Sequence, residues 1–310
     1  MRFTSLAVEL FALVTSVTGY EYPLSPALQQ ILDKASSPPY DYPTSLTNSI
    51  LPKPLHSHND YWRPVPFYTA LSYGAISVEA DVWFIDNELY VGHELAALSK
   101  DRTFDRLYVQ PILSVLKAQN PTTDFSDGDT SKNGVFDMAS TVPLFLWVDV
   151  KTDGHTTWPA VVDALGPLRE RGYLTNYTGE AVQRGPVFVI GTGNTPRNAV
   201  EGIAPRDYFW DGPLGNLTGV TYSLSPIASA DFEEVVGTVK GLTLGDKQLE
   251  VLRRQVKDAH GKGIGVRYWG LPGWPIGTRN AVWRTLYEEG VDLLSVDDLE
   301  GGAGFWEGIG

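Results

Sequence analysis

The 310-residue chain contains no cysteine. That single absence removes disulfide frameworks, thiolate metal centres and thiol nucleophiles. Basic residues are also scarce: 24 Lys and Arg stand against 37 Asp and Glu, a formal charge of −13. A broad basic face of the kind that grips a nucleic-acid backbone is excluded on this balance. Beyond the N-terminus no stretch approaches the roughly eighteen uninterrupted apolar residues of a membrane helix, so no stable span is expected. Apolar material is nevertheless plentiful, with 43% hydrophobic and 12% aromatic residues. That supports a sizeable core and argues against disorder. A single α/β barrel of roughly 250 residues is among the few architectures that fill such a length with one domain.

Met1 and Arg2 precede a mostly apolar run from Leu6 to Val17, interrupted by Glu9 and followed by Thr18-Gly19. This reads as a signal peptide over residues 1–19, with an N-terminal amphipathic helix or an uncleaved anchor as the alternatives. Two acceptor triplets, Asn176-Tyr177-Thr178 and Asn216-Leu217-Thr218, fit a secreted glycoprotein. Residues 20–54 are rich in Pro, Ser and Tyr and read as a surface lead-in, with a short helix around Pro26 to Lys34. The barrel is assigned to residues 55–310, and a monomer is expected.

From Leu55 onward strand-like and helix-like segments alternate. Leu51 to Leu55 suits a first strand, and Ala75 to Ile85 (AISVEADVWFI) and Val142 to Lys151 (VPLFLWVDVK) are β-branched and aromatic strands. Further strands are predicted at Val187–Gly191, Tyr208–Trp210, Thr221–Leu224, Gly263–Trp269 and Val291–Val296. Helices are predicted at Phe104–Gln119, Thr157–Arg171, Gly245–His260 and Arg279–Glu289. About eight such repeats imply a parallel sheet closed into a (β/α)8 TIM barrel. The polar stretch Asn120–Ser140 interrupts the rhythm and reads as a loop. Its Asp127, Asp129 and Ser131 alternate as in a calcium loop, but Lys132 stands where an EF-hand needs Gly and no Glu closes it.

Three of the five histidines fall between His56 and His93. In the same window, Glu79 and Asp81 are two apart in the most apolar strand and therefore share a face. Two carboxylates aimed together from a buried strand repel unless a positive charge lies between them. One divalent cation, Mg2+ or Ca2+, answers that need, with Asn59 and Asp149 as further oxygen ligands and Lys151 on the same face as Asp149. His58 and His93 are candidates for an acid–base pair, His56 competes with His58 for the base, and His155 and His260 are read as structural.

These residues carry a resemblance. Ser57-His58-Asn59-Asp60-Tyr61 is similar to the Ser-His-Asn-Thr-Tyr segment of phosphoinositide phospholipases C. Gly74 through Asp81 with His93 resembles the Gly-Ala-x-x-x-Glu-x-Asp strand and downstream His of glycerophosphodiester phosphodiesterases, and Asp149-Val150-Lys151-Thr152 resembles the Asp-Leu-Lys-Thr of venom phospholipases D. Arg267-Tyr268-Trp269 and Gly290-Val291-Asp292 complete the series. Over roughly Leu55 to Leu299 the chain is thus similar to the PLC-like phosphodiesterase superfamily, and within it to a fungal branch. The resemblance implies a barrel that cleaves a small-molecule or lipid phosphodiester with one cation. Within it, His58 and His93 act as base and acid, Asn59, Glu79, Asp81 and Asp149 bind metal, Lys151 contacts phosphate and Trp269 lines the pocket. Internal attack would pass through a cyclic phosphate. The His-Arg-Gly and Glu-Asn-Thr signatures of typical glycerophosphodiesterases are absent. The rival readings are a glycoside hydrolase, against which the same-strand carboxylates lie too close, and a non-catalytic binding protein on the same fold.

Overall fold

A computed structural model describes residues 42–125 and 131–308. The predicted signal peptide, the helix at Pro26–Lys34 and the Asp127 and Asp129 pair lie outside the described residues. The strands are β1 (Lys53–Ser57), β2 (Ala75–Ile85), β3 (Glu88–Val91), β4 (Leu144–Val150), β5 (Asn176–Tyr177), β6 (Val182–Gln183), β7 (Val187–Gly193), β8 (Phe209–Trp210), β9 (Gly212–Pro213), β10 (Ile227–Asp231), β11 (Gly265–Trp269) and β12 (Leu293–Val296). Nine of them form a parallel path in the order β8-β7-β4-β2-β1-β12-β11-β10-β9. Only Asp211 separates β8 from β9, so one short stretch of chain pairs with β7 on one side and β10 on the other. This brings the sheet nearly to closure, and a TIM-like barrel fits the arrangement.

Strand alternation sorts the side chains. Val78, Ala80 and Val82 of β2 and Leu146, Val148 and Val150 of β4 join one buried cluster with helix residues such as Ile112, Leu116, Trp158 and Val161. Phe188, Ile190, Phe209, Ile227 and Leu293 form a second cluster around Trp147. The first is the layer between sheet and helices, and the second fills the barrel. Register then carries the polar positions of β2 inward, because Glu79 pairs with Trp147 and Asp81 with Asp149. Outer helices include Gln110–Gln119, Gly154–Ala164, Asp246–His260, Ile276–Glu288 and Leu299–Glu307. The second of these starts earlier than its periodicity suggests because Asp153 caps it, accepting from the Thr156 N–H at 2.9 Å. β3 returns antiparallel on β2 through Asp86-Asn87, both with positive φ (52° and 63°) as a tight hairpin of this hand requires.

One predicted strand is corrected. Thr221–Leu224 is a turn, closed by the Leu224 and Ser225 N–H groups donating to the Thr221 carbonyl at 3.0 and 2.9 Å. The strand itself follows Pro226, at Ile227–Asp231. Its sequence, IASAD, is small and polar with little β propensity, and what holds it extended is pairing with β9 and β11. No helix among the described residues is long and apolar enough to cross a membrane.

Candidate active site

The carboxyl ends of the strands surround a cavity of about 620 Å³ whose wall includes His58, Asn59, Glu79, Asp81, His93 and Asp149. Lys151, Arg267 and Trp269 also line it. Ligand oxygens of Glu79, Asp81 and Asp149 all lie within 4.8 Å of one another. Asp81 and Asp149 are cross-strand neighbours, and Glu79 sits one inward step below. Lys151 Nζ bridges the upper pair, 2.9 Å from Asp81 Oδ2 and 2.7 Å from Asp149 Oδ2. Asp81 Oδ1 is buried and has no hydrogen-bond partner. Burial, with the charges of Glu79 and Asp149, pushes the Asp81 carboxyl up to about 7. Burial and the Glu79 charge likewise raise Asp149 against the opposing pull of Lys151. Converging hard oxygens, an orphaned carboxylate oxygen and mutual repulsion are what an oxygen-liganded divalent cation relieves, so these residues fit one.

Gly193 keeps this cluster open. It has φ 61°, and a Cβ there would stand 1.9 Å from Asp149 Oδ1. Asn59 is also left-handed, at φ 51°. Its Oδ1 accepts from the Tyr61 hydroxyl, which also lies 2.7 Å from Asp81 Oδ2, so the amide stands beside the carboxylates.

The two neighbouring histidines occupy different worlds. His56 is fully buried and is not part of the cavity wall. Its Nδ1 lies 2.7 Å from Ser77 Oγ and its Nε2 lies 2.8 Å from both Glu79 Oε2 and Arg267 Nη1. Burial, then the Arg267 charge, lowers its pKa to about 3, so the ring is neutral. Its one N–H serves Glu79 through Nε2 or Ser77 through Nδ1, and in the second tautomer Nε2 accepts from Arg267. Burial opposes the charge on Glu79, yet the His56 hydrogen bond and Arg267 hold its pKa below the usual carboxylate range. Arg267 stacks 4.2 Å from the Trp147 ring centroid, which anchors the guanidinium beneath the carboxylates.

His58 opens to the cavity. Its Nδ1 donates to Asp297 Oδ1 at 2.9 Å, which leaves the lone pair on Nε2. Burial works against a charged ring, but the Asp297 hydrogen bond and the charges of Glu79 and Asp297 outweigh it and raise the pKa. His93 is exposed on the loop after β3, its ring 5.8 Å from that of Trp62. Trp269 is 39% exposed at the end of β11. His155 is exposed and outside the cavity, and His260 pairs with Asp292 at 2.8 Å on another part of the surface.

Every residue predicted from the sequence to line the site is thus brought to one cavity except His56, which lies beneath it. The sequence reading passed over Asp297 and left Arg267 without a role. Asp297 carries the same signal as Asp149, an acid at the carboxyl end of an apolar strand. Arg267 stands two residues before Trp269 and shares its face.

A family model described as the AIM6-like phosphodiesterase domain matches residues 44–211. A protein named altered inheritance of mitochondria protein 6 homolog from Arthroderma benhamiae is 52% identical over 91% of this chain and 93% of its own. Proteins named altered inheritance of mitochondria protein 6 from Eremothecium gossypii and Saccharomyces cerevisiae are 38% and 34% identical, covering 79% and 82% of this chain and 67% and 71% of theirs. With a carboxylate cluster, a rim lysine and a histidine–aspartate pair at the mouth of a nearly closed parallel barrel, the chain belongs to the AIM6-like phosphodiesterase domain family.

Proposed function

We propose that the protein is a divalent-metal-dependent phosphoric diester hydrolase on a (β/α)8 barrel of the PLC-like type, acting on a glycerophosphodiester or phospholipid-type substrate. The observation that carries this reading is the meeting of Glu79, Asp81 and Asp149 within 4.8 Å, beside Lys151. Glu79, Asp81, Asp149 and the Asn59 oxygen would hold the cation. A bound divalent cation supplies Lewis-acid stabilisation of charge growing on the phosphoryl oxygens.

Charge supports the assignment. With all three ionised, the carboxylates are opposed by Lys151 and Arg267, a balance of −1 that a divalent ion turns to +1. A phosphodiester monoanion suits the latter. Lys151 adds a point charge to the phosphate. His58, held by Asp297, takes the proton of the attacking hydroxyl through Nε2 as the new O–P bond forms. On breakage of the opposite P–O bond, His93 gives its proton to the departing alcohol oxygen. Attack by water leaves a monoester, and attack by a substrate hydroxyl leaves a cyclic phosphate. His56 has no route to a reacting atom and instead positions Glu79. Trp269 offers an aromatic wall to the organic portion.

Hydrolysis of an aryl phosphodiester is expected to disappear on exhaustive chelation and to return with magnesium or calcium. Activity that survives chelation refutes the metal assignment. Phosphorus NMR of products from glycerophosphodiesters and lysolipids then reads substrate and cyclic or linear outcome together.

A further inference from the structure

His58 and Asp297 hang from different strands, one after β1 and the other after β12, and a single guanidinium fastens the two strand ends together. Arg63 stands just past the short helical turn Asp60–Trp62 and is half-buried. Its Nε donates to Ser57 Oγ at 3.1 Å, and its Nη2 donates to the carbonyls of His58 at 3.0 Å and Val296 at 3.1 Å. Its Nη1 donates to the Asp297 carbonyl. Two of these four acceptors belong to the end of β1 and two to the end of β12. The base of the clamp is itself fixed, because Ser57 Oγ donates to Asp60 Oδ1 at 2.7 Å and Asp60 Oδ2 accepts from the Phe67 N–H at 2.6 Å. A planar fork of five N–H groups spans such a set, whereas a lysine offers one nitrogen.

What the clamp settles is a contest at one ring nitrogen. His58 Nδ1 lies 2.9 Å from Asp297 Oδ1 and 3.0 Å from Asn59 Nδ2. The carboxylate accepts, which requires a proton on Nδ1; the amide donates, which requires that nitrogen bare and moves the proton to Nε2. The Asp297 side chain is 61% exposed, so packing does little to hold it against the ring. Its backbone must do so, and that backbone is what Arg63 grips. We infer that Arg63 is a positioning residue, which keeps Asp297 against His58 and so keeps the proton on Nδ1 and the lone pair on Nε2. Arg63 is not part of the cavity wall and acts through this pair. The consequence for catalysis rests on the reading of His58 as the base, but the choice of tautomer does not.

The test is the ring-nitrogen NMR spectrum of His58 in the full chain carrying isotope-labelled histidine, recorded above the pH at which the ring titrates, with His58→Ala identifying its signals. The wild-type ring is expected in the Nδ1–H form. R63M should shift the balance towards Nε2–H at least about threefold, and R63K should do the same, because charge without the fork does not hold both strand ends. In turnover, R63M should lower kcat at least about tenfold with KM within about twofold of the wild type. D297N should then cost less in R63M than in the otherwise unchanged protein, since the two residues act through one contact. R63K carries every arm where R63M fails to fold. A wild-type ring in the Nε2–H form overturns the inference, as does a tautomer balance unchanged in either variant or a D297N loss that is the same in both backgrounds. A wild-type protein inactive on every phosphodiester tried removes the functional reading and leaves the tautomer arm to decide this inference.

Discussion

Gly193→Ala isolates what holds the carboxylate cluster in place. Two separate costs arise at this position. The first is conformational: Gly193 has φ 61°, where an L-residue with a Cβ pays about 1–2 kcal/mol. The second is steric, because the new Cβ would stand 1.9 Å from Asp149 Oδ1 and 2.8 Å from the Val150 carbonyl oxygen. Ordinary contact begins near 3.4 Å, so either the end of β7 or the Asp149 carboxylate must move. The carboxylate is the freer of the two, and its displacement takes a ligand oxygen away from Glu79 and Asp81. Together these costs predict a loss of about 2–4 kcal/mol in urea unfolding. Affinity for magnesium or calcium in a calorimetric titration should fall at least about tenfold. Gly202→Ala is the matched control. Its φ is 77°, but a Cβ there meets nothing within 4 Å, so it should lose only about 1 kcal/mol and keep its metal affinity. Equal losses in the two variants, or wild-type metal affinity in Gly193→Ala, would show that Asp149 does not depend on this glycine.

His58→Ala should lower turnover by about two to four orders of magnitude with the unfolding midpoint little changed. His56→Ala should instead cost about 2–4 kcal/mol in stability and weaken metal binding, since it strips the buried Glu79 and Arg267 of a shared partner; a fully stable His56→Ala protein that has merely lost its activity would reverse the two roles. In the pH profile of kcat/KM, the base works only when deprotonated, and the raised pKa of His58 puts the acidic limb above the ordinary histidine value. Asp297→Asn removes the hydrogen-bonded charge, so the limb should move to lower pH while the maximum falls, and an unmoved limb would count against the pair. Asp211, partly buried, has its carboxyl raised by burial from 3.8 to about 6. A raised folded-state value means the stability it contributes is complete below about 4 and is lost as pH rises through about 6. Asp211→Asn should flatten that part of the stability curve, measured by urea unfolding at several pH values.

The parts of the site that could be read in the sequence are those set by local geometry. Glu79 and Asp81 are polar at alternate positions of an otherwise apolar strand, so strand pleat alone puts them on one face. Asp149 and Lys151 repeat the pattern at the end of β4, the strand that pairs with β2 in register. The β10 segment was not legible for the opposite reason: Ala228, Ser229 and Ala230 have little preference for a strand and are held extended by the neighbours they join. His56 and His58 were ambiguous in the same physical sense. His56 lies inside β1 and His58 in the turn that follows it, and two residues along the chain decide between a ring locked under Glu79 and a ring opening to the cavity. What separates them is contributed from far away, Arg267 by β11 and Asp297 by the residue after β12. Those groups reach the histidines only because β12 pairs with β1, Leu55 beside Leu294 and His56 beside Ser295. The match to the family domain ends at residue 211, before either of them. Near-closure of the sheet therefore does chemical as well as structural service. It makes one histidine neutral and fixed, the other oriented and basic, and joins the carboxylate cluster of β2 and β4 to the groups that β11 and the end of β12 supply.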